Sequence, residues 1–182
     1  TVDYPFNPSL LALGSEASFI ARTIDRYPKH LQETVKRAAE HKGTSFVEIY
    51  QNCNIFNDGA YDLLTSKDTK DDHVLNLEHG KPMVFGSKMN KGIRFDGCKM
   101  AVVNIDEGQF SVNDLFVHDE LDRNPIRSFM ITQMTDDPEF PTPIGIIRSI
   151  AKPTYDGGVE EQIKNVTEVK GKGTIKSLLN MG

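Results

Sequence analysis

Two apolar runs separated by one amphipathic stretch constrain this chain more than any other feature. The runs are Ala17-Ser18-Phe19-Ile20-Ala21-Arg22 and the segment from Thr44 to Tyr50; between them Pro28 opens a stretch reaching about His41. Within that stretch Leu31, Val35, Ala38 and Ala39 recur at helical spacing, which predicts one apolar stripe on an otherwise charged helix. Gly43 supplies the stop. Strand, helix and strand within roughly 35 residues make a βαβ unit, whose strands are expected to run parallel with a right-handed crossover. Both runs are nearly continuous in apolar character, as strands covered on both faces require. The expected class is α/β, a parallel sheet flanked by helices.

The second run ends at Tyr50 and opens into Gln51-Asn52-Cys53-Asn54-Ile55-Phe56-Asn57-Asp58-Gly59. In open α/β sheets the crevice at a strand's carboxyl end is where ligands bind. A cysteine there can be offered as a thiolate to a metal, a cluster or a substrate, which a cysteine inside the strand cannot. Cys53 alone supports several readings. A packed thiol acting as a small hydrophobe is the bland one. A nucleophile needs a base, and His73, His79 and His118 share no local signature with Cys53. A zinc or iron–sulfur site needs about four ligands, so the others would come from elsewhere.

Composition excludes several classes of function. With 38% hydrophobic and 26% charged residues, the chain has the make-up of a globular protein. Its net charge of −5 and lack of a basic cluster argue against nucleic acid as a partner. No apolar run approaches the ~18–20 residues of a membrane span, and Thr1-Val2-Asp3-Tyr4-Pro5 has no signal-peptide character. Two cysteines, Cys53 and Cys98, make no CxxC motif and no disulfide scaffold, so a reducing cytoplasm is expected. The chain begins without Met and reads as a piece of something longer.

Elsewhere the signals are shorter. Asn7-Pro8 and Asn124-Pro125 each pair a capping side chain with a helix-starting proline. Leu10, Leu11 and Leu13 follow the first; Ile126, Phe129, Met130 and Met134 follow the second. Val74-Leu75-Asn76-Leu77, Pro82-Met83-Val84-Phe85-Gly86 and Gly92-Ile93-Arg94-Phe95 predict short strands in a meander or a pair of hairpins. Pro143-Ile144-Gly145-Ile146-Ile147-Arg148 is one more strand, and Lys152-Pro153-Thr154-Tyr155-Asp156 leads into an amphipathic, charged tail. His118-Asp119-Glu120 could mimic a metal-ligand group, but adjacent residues point apart and a solvated turn is the expectation. Asp71-Asp72 and Asp136-Asp137 read as surface charge, Gly157-Gly158 lacks the context of a phosphate loop, and Cys98 reads as structural or incidental.

Three motifs in order resemble the β subunits of 2-oxoacid:ferredoxin oxidoreductases. They are Asn7 to Arg22, then His41 to Asn57 with its Cys-x-x-Phe-Asn turn, and finally Pro143 to Arg148 with Lys152 to Asp156. The resemblance implies the C-terminal half of a thiamine-diphosphate-binding fold over residues 1–58. A small mixed α+β extension would follow over residues 59–182. It implies oxidative decarboxylation of a 2-oxoacid with coenzyme A to an acyl-CoA and carbon dioxide, with electrons passed to ferredoxin. The cofactors implied are thiamine diphosphate, magnesium (Mg2+) and a [4Fe-4S] cluster; the partners are an α subunit, ferredoxin, the 2-oxoacid and CoA. Neither a membrane nor a nucleic acid is expected.

On this resemblance Cys53 is a ligand of the [4Fe-4S] cluster. The family's other cysteine ligands and its Gly-Asp-Gly…Asn motif match nothing in these residues. No residue is therefore assigned to catalysis or to thiamine diphosphate, and the 182 residues alone are expected to be inactive. The segment from Val74 to Phe95 and the wording Asn54 to Gly59 lean toward 2-oxoglutarate over pyruvate. Two other readings stay open: an electron-transfer or scaffold subunit that keeps the fold, and a zinc-binding structural domain.

Overall fold

The computed structural model describes residues 2–3, 5–97 and 99–180. Cys98, expected from the sequence to be structural or incidental, lies outside the described residues. The chain divides into two compact units, one ending at Ile150 and one beginning at Ala151.

The first unit starts with helix α1 (Pro8–Gly14), capped as the Asn-Pro pair predicts: the Asn7 side chain accepts from the Leu10 N–H at 3.2 Å. Strand β1 (Phe19–Ile24), helix α2 (Pro28–Glu40) and strand β2 (Ser45–Tyr50) follow. β1 and β2 pair in parallel, Phe19 opposite Ser45 through Ile24 opposite Tyr50, so the βαβ unit forms as expected. Short helices α3 (Asp62–Thr65) and α4 (Lys70–His73) lead to strands β3 (Val74–Leu77), β4 (Val84–Phe85), β5 (Lys91–Asp96) and β6 (Lys99–Asn104). Helix α5 (Ile126–Gln133) and strand β7 (Thr142–Ser149) complete the unit. Asn124 accepts from the Ile126 N–H at 3.1 Å in the turn before α5, but the helix starts one residue later than the second Asn-Pro pair predicts: Pro125 is its N-cap and no side chain caps it.

The main sheet has the order β2-β1-β7-β3 and is mixed. β3 runs parallel to β7, while β7 runs antiparallel to β1. The expected meander is therefore redistributed. β4, β5 and β6 form a separate antiparallel sheet, and the run at 74–77 joins the main one. The reason is burial: Val74, Leu75 and Leu77 are all buried, and a hairpin facing water on one side could not cover them. Sheet strands thus come from both sides of residue 58. β3 and β7 approach so closely that Gly145, at φ +114°, could carry no side chain; a Cβ there would meet the Leu77 carbonyl oxygen at 2.9 Å.

The sheet is covered on both faces. On one, Phe19, Ala21 and Ile146 meet Ala38 of α2 and Val47. On the other, Ile20, Leu75 and Ile147 join Ile131, Met134 and the small sheet's Met83, Phe85 and Ile93. Full burial of each Leu, Ile, Met or Phe side chain among them contributes about 1.5–3 kcal/mol. β1, central and wholly buried, behaves as its apolar run predicts. β2 does not, because it is an edge strand and only half-buried.

The buried stripe of α2 is turned from the one the apolar spacing predicts. Val35 is exposed and Thr34 is buried instead. Thr34 satisfies its hydroxyl inside the helix by donating to the His30 carbonyl at 2.8 Å, which removes the cost of burying it.

The second unit holds helices α6 (Tyr155–Lys170) and α7 (Ile175–Leu179), capped by Thr154 and Thr174 and with no buried residue. Gly157 and Gly158 lie in the first turn of α6. No helix among the described residues is long and apolar enough to cross a membrane.

Candidate functional site at the carboxyl end of β2

The polar turn after Tyr50 is built by one side chain, Asn52. Its amide oxygen accepts from the Gly59 N–H at 2.9 Å, and its amide nitrogen donates to Asn54 and to Asp58, each at 2.8 Å. Gly59 sits at φ +79°, where a side chain would be strained. Inside this frame the Asn57 N–H donates to the Cys53 carbonyl at 3.0 Å and closes a tight turn.

The same turn acts on the acidity of the thiol. The backbone N–H of Phe56, then that of Ile55 and more weakly that of Asn57, hold the Cys53 thiol below the ordinary cysteine range. Cys53 is exposed, flanked by the exposed side chains of Ile55 and Phe56. The sequence placed the cysteine at the strand's carboxyl end, and it is there. The lowering by backbone N–H groups depends on peptide orientation and left no mark in the sequence.

Behind the turn lies a charged pair that sequence reasoning missed. Arg22 is fully buried in the middle of the sheet and donates through Nε to Glu48 at 2.6 Å, from the register position directly opposite. Ser9 donates to the same carboxylate oxygen at 3.1 Å, and Arg22 reaches the Pro143 carbonyl at 3.3 Å. The guanidinium also lies 5.5 Å from the centre of the Tyr50 ring, which stacks on Tyr61 at 4.7 Å. Burial pushes the Tyr50 hydroxyl up to about 12, so it stays a neutral phenol at physiological pH. The pair ties α1, β1, β2 and β7 together beneath the cysteine turn.

The segment His118-Asp119-Glu120 corrects an expectation. It is not a solvated turn, because His118 and Glu120 are buried. The chain here runs beside Lys81 and Pro82 as an extra short bridge, with the His118 N–H donating to the Lys81 carbonyl at 3.0 Å. His118 Nε2 lies 2.7 Å from the Ile146 carbonyl, Glu120 pairs with Arg37, and Asp119 faces His79 at 3.4 Å. Burial holds the His118 imidazole below its ordinary value, so Nε2 carries the proton donated to Ile146. The three side chains do point apart, and they collect no metal site.

The aspartate pairs also tie elements together. Asp72 accepts from Lys91 at 2.8 Å, and Asp136 accepts from Asn7 at 3.3 Å. Among the described residues no three His, Cys, Asp or Glu side chains come together in a way that could hold a metal ion. The one cysteine side chain at this site is that of Cys53.

No family model matches the chain. Among curated proteins it is 36% identical over 187 residues to 2-oxoglutarate oxidoreductase subunit KorB of Mycobacterium tuberculosis, covering 99% of this chain and 48% of that protein. It is 31% identical over 100 residues to a 2-oxoacid:ferredoxin oxidoreductase subunit beta of Saccharolobus solfataricus, covering 50% of this chain and 31% of that one. Among solved structures it resembles a 2-oxoglutarate:ferredoxin oxidoreductase from Magnetococcus marinus with 2-oxoglutarate, coenzyme A and succinyl-CoA bound. The TM-score is 0.61 at 19% identity, covering 100% of this chain and 46% of that one. At that identity the likeness concerns the fold alone. The chain spans less than half the length of the curated relatives it matches.

Proposed function

This chain is a relative of the β subunits of 2-oxoacid:ferredoxin oxidoreductases, which are enzymes, and from that relationship we propose that it forms part of such a subunit. The whole protein pairs with an α subunit in the cytoplasm and oxidises a 2-oxoacid, 2-oxoglutarate before pyruvate. The carbon–carbon bond to the carboxylate breaks and releases carbon dioxide. The remaining acyl group joins the sulfur of coenzyme A, whose thiol proton is lost. Two electrons leave for ferredoxin; a [4Fe-4S] cluster, with Cys53 as one of the residues that would hold it, would supply the one-electron chemistry between them. Thiamine diphosphate, held with magnesium, supplies the carbanion that makes decarboxylation accessible. On this reading residues 1–58 continue the domain that holds it and residues 59–182 are the extension.

The part assigned to this chain's own residues is ligation by Cys53. The donor set fits one position of a cluster, which takes thiolates and is tuned by hydrogen bonds to sulfur. The single observation that supports the reading is the place of Cys53, exposed in a tight turn at a strand's carboxyl end, with its thiol held below the ordinary cysteine range. The exposure of Cys53, Ile55 and Phe56 suits a face covered by the cluster and by protein beyond these residues. Nothing in this chain is assigned to the diphosphate or to magnesium.

The test is anaerobic reduction of viologen or ferredoxin by the complete α/β complex. Reduction that requires coenzyme A and prefers 2-oxoglutarate is expected. A preference for pyruvate would keep the reaction and remove the substrate, and no reduction with any 2-oxoacid would remove the reaction. In the same complex Cys53→Ser should lower iron and acid-labile sulfide to the level of a broken cluster while the thermal transition stays near that of the parent. Full cluster content in that variant would end the ligand assignment.

A further inference from the structure

The second unit carries apolar surface that it does not bury. Val169, Ile175, Leu178 and Leu179 are 72 to 84% exposed, and no residue of α6 or α7 is buried. Single exposed apolar side chains are ordinary, but here four fall within one short stretch and call for a covering surface. At five residues, α7 is also well below the roughly 12–15 at which an isolated helix becomes marginal in water.

Charge narrows what that surface is. From Val169 to Asn180 the chain has Lys170, Lys172 and Lys176 and no Asp or Glu. Among the described residues none of these lysines forms an ion pair. Lys172 stands between Gly171 and Gly173, and a Cβ at either glycine would meet open space, so the join between α6 and α7 is unpacked.

The first unit holds the opposite pattern. From Met100 to Asp122 there are six carboxylates and no Lys or Arg. Glu120, Asp119 and Asp122 face Arg37, His79 and Arg127. The other three, Asp106, Glu107 and Asp114, are exposed and accept from neutral groups: Asn90 at 3.0 Å, Asn104 at 3.0 Å and the Ser111 hydroxyl at 2.8 Å. Arg94 acts on Asp114 but is shared with Asp96 at 3.4 Å. The backbone that carries these three is anchored at both ends. The Ile105 N–H donates to the Asn90 carbonyl at 2.8 Å, and the Phe116 N–H donates to the Ile93 carbonyl at 2.7 Å. Asn90 and Ile93 are only about 10 Å apart along extended chain, so the segment folds back and keeps its carboxylates together. Val112 is exposed within it.

We propose that the basic end of one chain docks on this acidic segment in a second copy. Lys170, Lys172 and Lys176 meet Asp106, Glu107 and Asp114, and the apolar side chains of α7 cover Val112. Two copies that exchange ends about a two-fold axis make the contact twice. The match of opposite charges also offsets the repulsion between chains of net charge −5. The proposal goes beyond the function given above and does not depend on turnover.

The test is the mass of the complete α/β complex in solution, read by sedimentation at low and at raised salt. The parent should hold two copies of this chain per particle at low salt and separate as salt is raised. Lys170→Glu/Lys172→Glu/Lys176→Glu and Asp106→Lys/Glu107→Lys, all at exposed positions, should each weaken the pairing about tenfold or more in proteins that melt with the parent. Mixing these two variants should bring the paired particle back, because each then meets opposite charge at both contacts. A parent with one copy per particle, or variants that pair as tightly as the parent, overturns the proposal. Failure of the mixture to pair also overturns it and assigns the basic end to a contact within its own chain. Loss of the α subunit from the lysine variant, with the copies still paired, overturns it in favour of that subunit. A parent that pairs as expected but contains no α subunit would leave the contact standing and remove only the oxidoreductase reading.

Discussion

At the scale of a residue, Cys53 shows how a turn sets the chemistry of a thiol. An ordinary cysteine titrates near 8.5. In this turn the N–H of Phe56 is the strongest of the donors that hold the thiolate. The sign follows directly. A lowered value leaves more thiolate at a given pH, so alkylation should begin at lower pH than in an unstructured peptide. In cluster-free Cys98→Ser protein, the pH profile of iodoacetamide labelling should have its midpoint below that of the same cysteine in the denatured protein. Phe56→Pro removes that N–H and should move the midpoint upward; an unmoved midpoint would assign the effect elsewhere. The cysteine and its place after an apolar strand were legible from residue types alone. The donors were not, because every residue but proline carries an N–H and only the turn decides where it points.

At the scale of elements, the central strand contains a charge that its apolar neighbours conceal. Arg22 closes the predicted run at 17–22; the strand in fact continues to Ile24 and encloses it. Register then decides its partner. Glu48 is alone among the residues of β2 in bearing a charge, and it stands opposite Arg22. Pairing across strands is not written in the local pattern of either one, so the two segments were found and their connection was not. Truncating one member leaves the other buried without compensation, which costs about 3–5 kcal/mol. Arg22→Ala should therefore lower the denaturation midpoint of the subunit sharply. Arg22→Met combined with Glu48→Gln should recover much of that loss. A double variant as unstable as the single one would show that Arg22 acts by filling space, not by charge. The same logic explains the misplaced stripe of α2. Hydropathy favoured Val35, but the face that packs is set by where the sheet lies, and Thr34 satisfies its own hydroxyl there.

At the scale of the whole molecule, the βαβ unit was legible because all its pairing is between neighbours in sequence. The rest was less so because β3 and β7 join β1 from positions far along the chain. A short apolar run such as 74–77 looks the same whether it enters a hairpin or a buried sheet. One consequence of the resulting order concerns β2. Among the described residues no strand pairs with its outer row of N–H and C=O groups, over the sequence Ser-Phe-Val-Glu-Ile-Tyr. Natural edges are guarded by charge, yet the one charge here is turned inward to Arg22. These 182 residues prepared alone should scatter light increasingly with concentration and bind thioflavin, and Ile49→Lys, on an exposed position, should suppress both. A monodisperse solution at high concentration would refute this. For a cell making such a chain, the open edge turns the yield of usable protein into a race. Whatever strand or partner is meant to lie beside β2 must reach it before a second copy does.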